Sequence, residues 1–368
     1  MLTIENITYR IEGRTLFQGA SATLPAGARA GLVGRNGCGK TTLFDLVTGE
    51  RSPESGSIRL PERIRIGRVA QEAPASDLTL TETVLTADTE RARLMAEVDG
   101  ATDPMRIAEI HTRLADIDAY GAEARAARIL SGLGFDEAAQ GRPTRSFSGG
   151  WRMRVALAAV LFSAPDLLLL DEPTNYLDLE GALWLESWLA RFPGTFVLIS
   201  HDRDLLDRAC DTIVHVDDGR LVTYRGNYDS FERQRAERLR LDRKEAEKQA
   251  ARAAHLQAFV DRFRAKATKA RQAQSRLKML EKMKTVTPAV DPQVPPIRIP
   301  APRVPLSPPI VAMENVSVGY APGRPVLKRL TLRIDDDDRI ALLGANGNGK
   351  STFAKLLAER LAPDGGRI

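Results

Sequence analysis

Two glycine-rich segments of the same design lie 310 positions apart in a chain of 368 residues. Residues 34–41 read GRNGCGKT, and residues 344–351 read GANGNGKS. A glycine loop of this pattern lets backbone N–H groups surround phosphate oxygens without a clash from side chains. Two copies indicate an internal repeat of a nucleotide-binding domain. Because few residues follow the second copy, the repeat predicts one whole domain and the first part of another.

The segments around the first loop alternate between apolar strands and helices. Strands that alternate with helices along a chain predict an α/β fold with a parallel sheet. The order of strand, glycine-rich turn and helix is also the setting that a phosphate-binding loop requires. The expected strands lie at residues 2–9, 28–33, 166–170 and 195–199, and the expected helices begin near residue 40 and at residue 151.

Shifts in composition divide the chain into four parts. The first domain is expected at residues 1–231, with a helical arm inserted at about residues 80–135. Residues 232–287 contain no Gly or Pro, which predicts a helical linker. Nine prolines then predict an extended connector over residues 288–310. The second α/β copy is expected at residues 311–368.

The linker concentrates positive charge. Residues 232–284 contain 17 Lys or Arg and 7 Asp or Glu, whereas the whole chain has a net charge of +5. Leu256, Phe259 and Phe263 follow a helical period, which predicts two antiparallel helices with a basic tip near residues 264–270. A basic helix is typical of proteins that bind a phosphate backbone, although a solvated linker face explains this composition about as often. The candidate contact residues are Arg264, Lys266, Lys269 and Arg271.

Several features predict a cytoplasmic protein without a membrane span. No apolar run approaches the roughly 18 residues that cross a bilayer, and the first residues lack the pattern of a secretory signal. Two cysteines in a chain of this length argue against a disulfide scaffold. Cys38 is expected to be a spectator in the first loop, and Cys210 a core residue.

The first loop and an acidic strand carry the predicted chemistry. Lys40 would place a positive charge on the β- and γ-phosphates, and the Thr41 hydroxyl can bind Mg²⁺. Residues 167–174 read LLLLDEPT, an apolar strand that delivers two carboxylates to its carboxyl end. Asp171 can hold Mg²⁺ through water, and Glu172 can accept a proton from an attacking water molecule. A solvated Asp-Glu turn is the usual alternative, but the preceding phosphate loop argues against it.

Residues 148–151 read SGGW and directly precede a strongly apolar helix. Small residues at a helix N-terminus expose unpaired N–H groups, and these can bind an anion. By itself this run is more often a helix cap with a glycine turn. Its position ahead of Asp171 favours the anion site.

Together these motifs resemble those of ATP-binding-cassette ATPases. The loops and the acidic strand are similar to the family's Walker motifs, and residues 148–151 are similar to its signature. The resemblance implies a Q-loop at Gln71, a D-loop at residues 175–178 and a switch histidine at His201. It also implies an aromatic contact with adenine at Tyr9 and Tyr320.

The resemblance implies a full set of site residues. Catalysis would involve Glu172, His201 and Gln71, and Mg²⁺ would be held by Thr41, Gln71 and Asp171. ATP would be bound by Tyr9, by Gly34, Asn36, Gly37, Gly39, Lys40, Thr41 and Thr42 of the first loop, by Ser148, Gly149 and Gly150 of the signature, and by Gly344, Asn346, Gly347, Gly349, Lys350, Ser351 and Thr352 of the second loop.

Three features narrow the resemblance to the ABC-F group: two cassettes on one chain, a basic helical linker, and the sequence YRGNY at residues 224–228. The signature sequence is also closer to that group than to the glutamine-ended signature of transporters. Tyr176 stands where histidine is common, and we expect it to have a small effect on coupling. The resemblance implies a cytoplasmic ATPase whose linker reaches toward ribosomal RNA and tRNA, because many ABC-F proteins act on the ribosome.

The resemblance also implies two ATP molecules between two cassettes, each held by the loop of one and the signature of the other. On that basis neither composite site is complete within residues 1–368. We expect the chain to bind nucleotide through its first copy and to hydrolyse it slowly, unless the first cassettes of two chains pair as a homodimer. When the second cassette is whole, it would pair with the first in the same chain.

Two other functions are compatible with these motifs. The nucleotide-binding subunit of an ABC transporter can be a separate chain, although such a subunit has no need of a basic linker. A DNA-repair-type ABC ATPase could use the same cations, because they suit DNA and RNA equally well.

Overall fold

A computed structural model of the protein describes residues 2–69, 75–263, 279, 300, 308–321, 323–344 and 346–368. The predicted Q-loop residue Gln71 lies outside these residues, as do most of the proline-rich connector and the expected tip of the linker. The candidate RNA contacts Arg264, Lys266, Lys269 and Arg271 lie outside them too.

The first part of the chain forms a β-rich layer and the first glycine loop. The loop joins a strand to a helix, in the order that the sequence predicts. The elements are β1 (Leu2–Ile11), β2 (Arg14–Leu24), β3 (Arg29–Gly34), α1 (Lys40–Thr48), β4 (Ser55–Arg59) and β5 (Ile66–Arg68).

A run of helices follows, and its first four members lie within residues 80–135, where the sequence predicts a helical arm. The first of these helices begins with a capping box, in which the Thr79 hydroxyl accepts from the Glu82 N–H and the Glu82 carboxylate accepts from the Thr79 N–H. The helices are α2 (Leu80–Leu85), α3 (Thr89–Gly100), α4 (Pro104–Asp116), α5 (Ala122–Gly132), α6 (Glu137–Gln140) and α7 (Gly149–Phe162).

Strands and helices then alternate to complete the first cassette. The expected buried strands are present, and their side chains are apolar along almost their whole length. Such continuous apolar runs are typical of parallel strands that are covered on both faces. The elements are β6 (Leu167–Asp171), α8 (Leu179–Leu189), β7 (Thr195–Ile199), α9 (Arg203–Ala209), β8 (Thr212–Asp217) and β9 (Arg220–Arg225).

Two sheets build the first cassette. A six-stranded sheet has the order β5-β6-β7-β3-β8-β9, and its neighbours from β5 to β8 are parallel. A three-stranded antiparallel sheet has the order β2-β1-β4. Buried residues of both sheets and of α1 form one apolar core. The α/β fold class is therefore confirmed, and the carboxyl ends of β3, β6 and β7 meet at one edge of the larger sheet.

The chain divides into two compact units, residues 1–223 with 301–368, and residues 224–300. The second unit contains the long helix α10 (Tyr228–Phe263). The sequence YRGNY at residues 224–228 leads into this helix. There Asn227 accepts a hydrogen bond from the N–H of Ser230, and the centre of the Phe231 ring lies 5.0 Å from that of Tyr224. None of the described helices combines the length and apolar character that a bilayer crossing needs.

The second copy repeats the β-rich layer and the loop of the first. Its elements are β10 (Val311–Gly319), β11 (Pro325–Ile334), α11 (Lys350–Leu357) and β12 (Gly365–Arg367), with an antiparallel order β11-β10-β12. Leu343 is 82% exposed, whereas its repeat equivalent Val33 in β3 is 9% exposed. Among the described residues of the second copy, residues 340–344 form no strand.

Candidate nucleotide-binding site

The first glycine loop leads from β3 directly into α1. Gly37 and Gly39 have φ values of 72° and 101°, in the left-handed region that favours glycine. The Lys40 ammonium donates to the carbonyl oxygens of Gly34 at 2.9 Å and of Arg35 at 3.2 Å. The lysine therefore folds back over the loop, at the N-terminus of a helix, where N–H groups attract anions. The remaining predicted loop residues, Asn36, Thr41 and Thr42, lie in the loop or the first turn of α1.

A hydrogen bond joins the loop to the acidic strand. The Thr41 hydroxyl donates to Asp171 Oδ2 at 2.7 Å, although the two residues are 130 positions apart. Hydroxyl and carboxylate oxygens are hard ligands, and Mg²⁺ prefers such ligands. These two members of the predicted metal set therefore fit the ion, and the third, Gln71, lies outside the described residues.

Glu172 has an unusual backbone conformation beside Asp171. Its φ is 48°, a left-handed value that is uncommon for a residue with a side chain and is concentrated at functional sites. Its N–H donates to the Ile199 carbonyl at 2.9 Å, which ties the end of β6 to the end of β7. This turn directs the carboxylate toward the residues that follow β7.

The Glu172 carboxylate meets His201. Oε2 accepts from the His201 backbone N–H at 3.1 Å, and Oε1 lies 3.5 Å from His201 Nε2. The second separation is too long for a strong hydrogen bond. Oε1 is buried and is without a hydrogen-bond partner among the described residues. A buried acceptor with free capacity is suited to orienting a water molecule.

The signature segment forms the N-terminus of α7. Ser148 is the N-cap residue, and its hydroxyl makes no capping hydrogen bond. Gly149 and Gly150 form the first turn, and a Cβ on Gly150 would lie 3.8 Å from the Tyr176 ring. The signature therefore lies beside the turn that contains the D-loop.

Arg154 connects the signature helix to the D-loop. It is 1% exposed, and its Nε donates to the Tyr176 carbonyl at 2.6 Å. Its other nitrogens donate to the Leu133 carbonyl at 2.9 Å and to Asp178 Oδ2 at 3.3 Å. The guanidinium also lies 4.3 Å from the Trp151 ring centre. Sequence reasoning assigned Arg154 no role, although a charged residue inside so apolar a helix was a usable signal.

Asp178 receives several donors in this network. Burial raises the pKa of its carboxyl, but the Gly181 N–H, the charge of Arg154 and the Asn346 N–H outweigh that effect and hold the pKa below its usual value. The carboxylate also caps α8 through the Gly181 N–H at 3.2 Å. Asp178 is therefore held as an anion between the signature helix and α8.

The second glycine loop contacts the same turn. The Asn346 N–H donates to Asp178 Oδ2 at 3.4 Å. The Asn346 side-chain amide donates to the Tyr176 carbonyl, also at 3.4 Å. Arg154 also donates to both of these oxygens. Lys350 folds back onto the Gly344 carbonyl, as Lys40 does onto Gly34. Gly347 and Gly349 have positive φ values, and Ser351 and Thr352 follow in the first turn of α11.

The two tyrosines predicted to contact adenine differ in their surroundings. The Tyr9 hydroxyl accepts from Arg51, which follows the C-terminal end of α1, away from the glycine loop. The Tyr320 hydroxyl instead meets Thr352 and Lys355 in α11, each at 3.3 Å. The hydrogen bonds with Thr352 and Lys355 lower the pKa of Tyr320. Only Tyr320 is tied to the helix that follows its loop.

Cys210 is buried in the protein interior, and Cys38 is half-buried. Cys38 borders the main core from within the first loop, and burial raises the pKa of its thiol. Burial raises the pKa of Cys210 to about 12. Neither thiol is in the anionic form that reactive cysteines require near neutral pH.

Two protein-family models match the sequence. One, described as ABC transporter, matches residues 17–175 and 327–368, which is more than half of the chain. A second model with the same description matches residues 214–299 and so includes the whole of the predicted linker, residues 232–287. A solved ATP-binding subunit of an ABC transporter is 19% identical, with a TM-score of 0.49, over 64% of this chain and 93% of that subunit.

Curated relatives align along the whole chain. The probable ATP-binding protein YheS of Escherichia coli K12 is 47% identical, over 100% of this chain and 58% of that protein. Human ATP-binding cassette sub-family F member 3 is 41% identical, over 98% of this chain and 52% of that protein. ABC transporter F family member 3 of Arabidopsis thaliana is 41% identical, over 99% of this chain and 54% of that protein. The chain therefore spans little more than half the length of these relatives.

Proposed function

Because the chain belongs to the ATP-binding-cassette family, and within it to the ABC-F group, we propose that it binds and hydrolyses ATP and acts on the ribosome as a translation factor. The observation that carries the ATPase part is the Thr41–Asp171 hydrogen bond, which joins the glycine loop to the acidic strand. The charge of the linker carries the ribosomal part.

Each of the residues at the sheet edge would have a separate role in ATP hydrolysis. Lys40 and the N-terminus of α1 would hold the β- and γ-phosphates. Mg²⁺, bound by Thr41 and Asp171, would neutralise negative charge on those phosphates. Glu172 would orient a water molecule and accept its proton through Oε1, the buried oxygen that has free capacity. His201 holds the other carboxylate oxygen through its backbone N–H and so fixes the direction of the base.

The second loop supports a composite site. Asn346 contacts the D-loop of the first copy, and the signature helix holds that D-loop through Arg154. ATP held by Lys350 and Ser351 would therefore face a segment that the first copy controls. This arrangement is what a head-to-tail pair of cassettes requires, either within one chain or between two chains.

The linker supports an RNA partner. Helix α10 exposes several cations, including Arg238, Arg243, Lys248 and Arg252, but it also carries acids. Residues 264–284 contain eight Lys or Arg and one acidic residue, so the excess of positive charge lies there. An anionic backbone attracts such a segment strongly at low salt. A transporter subunit has no need of this charge.

Sedimentation with purified ribosomes tests the proposal. Glu172→Gln keeps an acceptor for the His201 N–H but removes the base. ATP should therefore stay bound without being hydrolysed, and the ATP-bound form of the protein should accumulate. When the second cassette is whole, we expect more of this variant to pellet with ribosomes in ATP than without nucleotide. Lys40→Ala combined with Glu172→Gln is the control and should lose the ATP effect. Pelleting that is the same with and without ATP would contradict the proposal.

The competing functions predict different nucleic-acid behaviour. A transporter subunit should bind neither RNA nor DNA at physiological salt, and a DNA-repair ATPase should prefer DNA. Competition between structured RNA and duplex DNA of equal charge, at stated salt concentrations, separates the three. Preference for RNA supports the translation factor.

A further inference from the structure

A groove of about 390 Å³ lies between α5 and α8 of the first cassette. Every charged side chain that lines it is an arginine: Arg125 and Arg128 on α5, and Arg191 just after α8. Trp184 and Trp188 of α8 form its aromatic wall. The groove thus combines guanidinium groups with indole rings and contains no carboxylate among its lining residues.

The aromatic wall is built by close packing. Gly132 has no Cβ, and one placed there would lie 2.0 Å from the Trp184 ring, so this glycine allows the indole to rest on α5. Trp188 stacks on Phe192, with ring centres 5.1 Å apart and planes 22° apart. Both indoles are half-buried rather than enclosed. They are therefore held in place while part of each ring faces the groove.

The three arginines differ in how far they are engaged. Arg125 pairs with Asp118 and lies over the Phe162 ring, so its charge is partly compensated. Arg128 and Arg191 are exposed, and their described hydrogen bonds go to neutral oxygens of Ala124 and Ser187. Arg128 and Arg191 thus keep uncompensated charge at the groove.

The groove is remote from the predicted ATP site. Its floor includes Ala164 and Pro193, which come just before β6 and β7. The residues that would hold ATP lie at the opposite, carboxyl ends of β6 and of β3. A partner in the groove and a nucleotide at the loop could therefore be bound at the same time.

We propose that this groove, defined by Arg125, Arg128, Trp184, Trp188 and Arg191, binds single-stranded RNA. Guanidinium groups pair with phosphate oxygens in a bidentate manner, and indole faces stack on bases. An acidic peptide would use the arginines but would gain little from two planar aromatic surfaces. The proposal shares an RNA partner with the proposed function, but it assigns a contact surface that is separate from the linker.

Binding of a fluorescein-labelled single-stranded RNA of about 12 nucleotides, followed by anisotropy, tests the proposal on the whole chain. Trp188→Leu removes a stacking surface and should weaken binding about fivefold or more. Trp188→Phe keeps an aromatic ring and should recover most of the affinity. RNA should also quench tryptophan emission in the unmodified protein, and the quenching should fall in Trp188→Leu.

A charge variant tests the same surface without altering the aromatic packing. Arg128→Gln combined with Arg191→Gln should reduce the slope of log affinity against log salt by up to about 1.4, at about 0.7 for each phosphate contact. Arg59→Gln combined with Arg220→Gln removes the same charge from exposed strand positions outside the groove and should change the slope less. This pair stays informative even if Trp188→Leu fails to fold.

The outcomes separate this proposal from the ribosomal one. Unchanged RNA affinity, salt slope and quenching in the groove variants would overturn the groove proposal and leave the linker proposal intact. Equal binding of a polyglutamate peptide, with no effect of Trp188→Leu on RNA, would also overturn it and assign the groove to an acidic protein. Loss of ATP-dependent ribosome pelleting with groove-dependent RNA binding retained would remove only the ribosomal role.

Discussion

Replacing Arg154 with methionine should destabilise the first cassette strongly. The guanidinium and Asp178 have side-chain exposures of only 1% and 9%, so water screens their interaction little. Methionine has a similar length but leaves the Asp178 carboxylate without its charged partner. Removing one partner of a buried ion pair costs about 3–5 kcal/mol. That is a large part of the stability of a typical domain, about 5–15 kcal/mol.

Urea denaturation followed by far-UV circular dichroism measures this loss, and Arg208→Met is a suitable control. Arg208 also pairs with a carboxylate, Glu186, but the arginine is 58% exposed. An exposed pair contributes about 0–1 kcal/mol. A loss of less than about 1 kcal/mol for Arg154→Met, within the range of the control, would refute the argument from burial. The double variant Arg154→Met with Asp178→Asn should lose less free energy of unfolding than the sum of the losses in the two single variants. Both single variants remove the same interaction, so their effects are not additive.

The effect should also depend on pH in a defined direction. The pKa of Asp178 is depressed in the folded protein, so its contribution to stability is present above the unfolded pKa of about 3.9. That contribution is lost as the pH falls through the folded value. The difference between the unmodified protein and Arg154→Met should therefore shrink below about pH 4.

Three further predictions concern the site and the core. Gly39→Ala should lower nucleotide affinity and reduce the free energy of unfolding by about 1–2 kcal/mol, because Gly39 has a left-handed φ of 101°. Gly141→Ala is the control and should change neither quantity, because Gly141 has open space around it. Thermal melting and fluorescent-nucleotide titration measure the two effects. Glu172→Gln should keep nucleotide binding, because the amide oxygen of the glutamine can still accept from the His201 N–H. The rate of phosphate release should fall by roughly 10²- to 10⁴-fold. A near-normal rate of release would exclude Glu172 as the base. Cys210, with a pKa raised to about 12, should react with a maleimide at pH 8 only after unfolding, and rapid labelling of the native protein would contradict its burial.

Much of the first site follows from local patterns. The glycine loop, the apolar strand before Asp171 and the helix after Ser148 each have a short signal that is independent of the rest of the chain. The sequence predicted a parallel sheet and two carboxylates at the carboxyl end of one of its strands, and parallel strands end at a common edge. It did not reveal the Thr41–Asp171 hydrogen bond, because side-chain contacts across 130 positions depend on sheet order and twist.

The sequence by itself determined the glycine loops, the α/β class, the acidic pair and the basic linker, because each depends on residues close together in the chain. Tertiary structure alone decided that Arg154 would join the signature helix to Asp178, that His201 would hold Glu172, and that Arg128 and Trp188 would share a groove. These arrangements bring together groups that are distant in sequence. Their energy depends on burial and direction, and both arise only when the helices and strands pack.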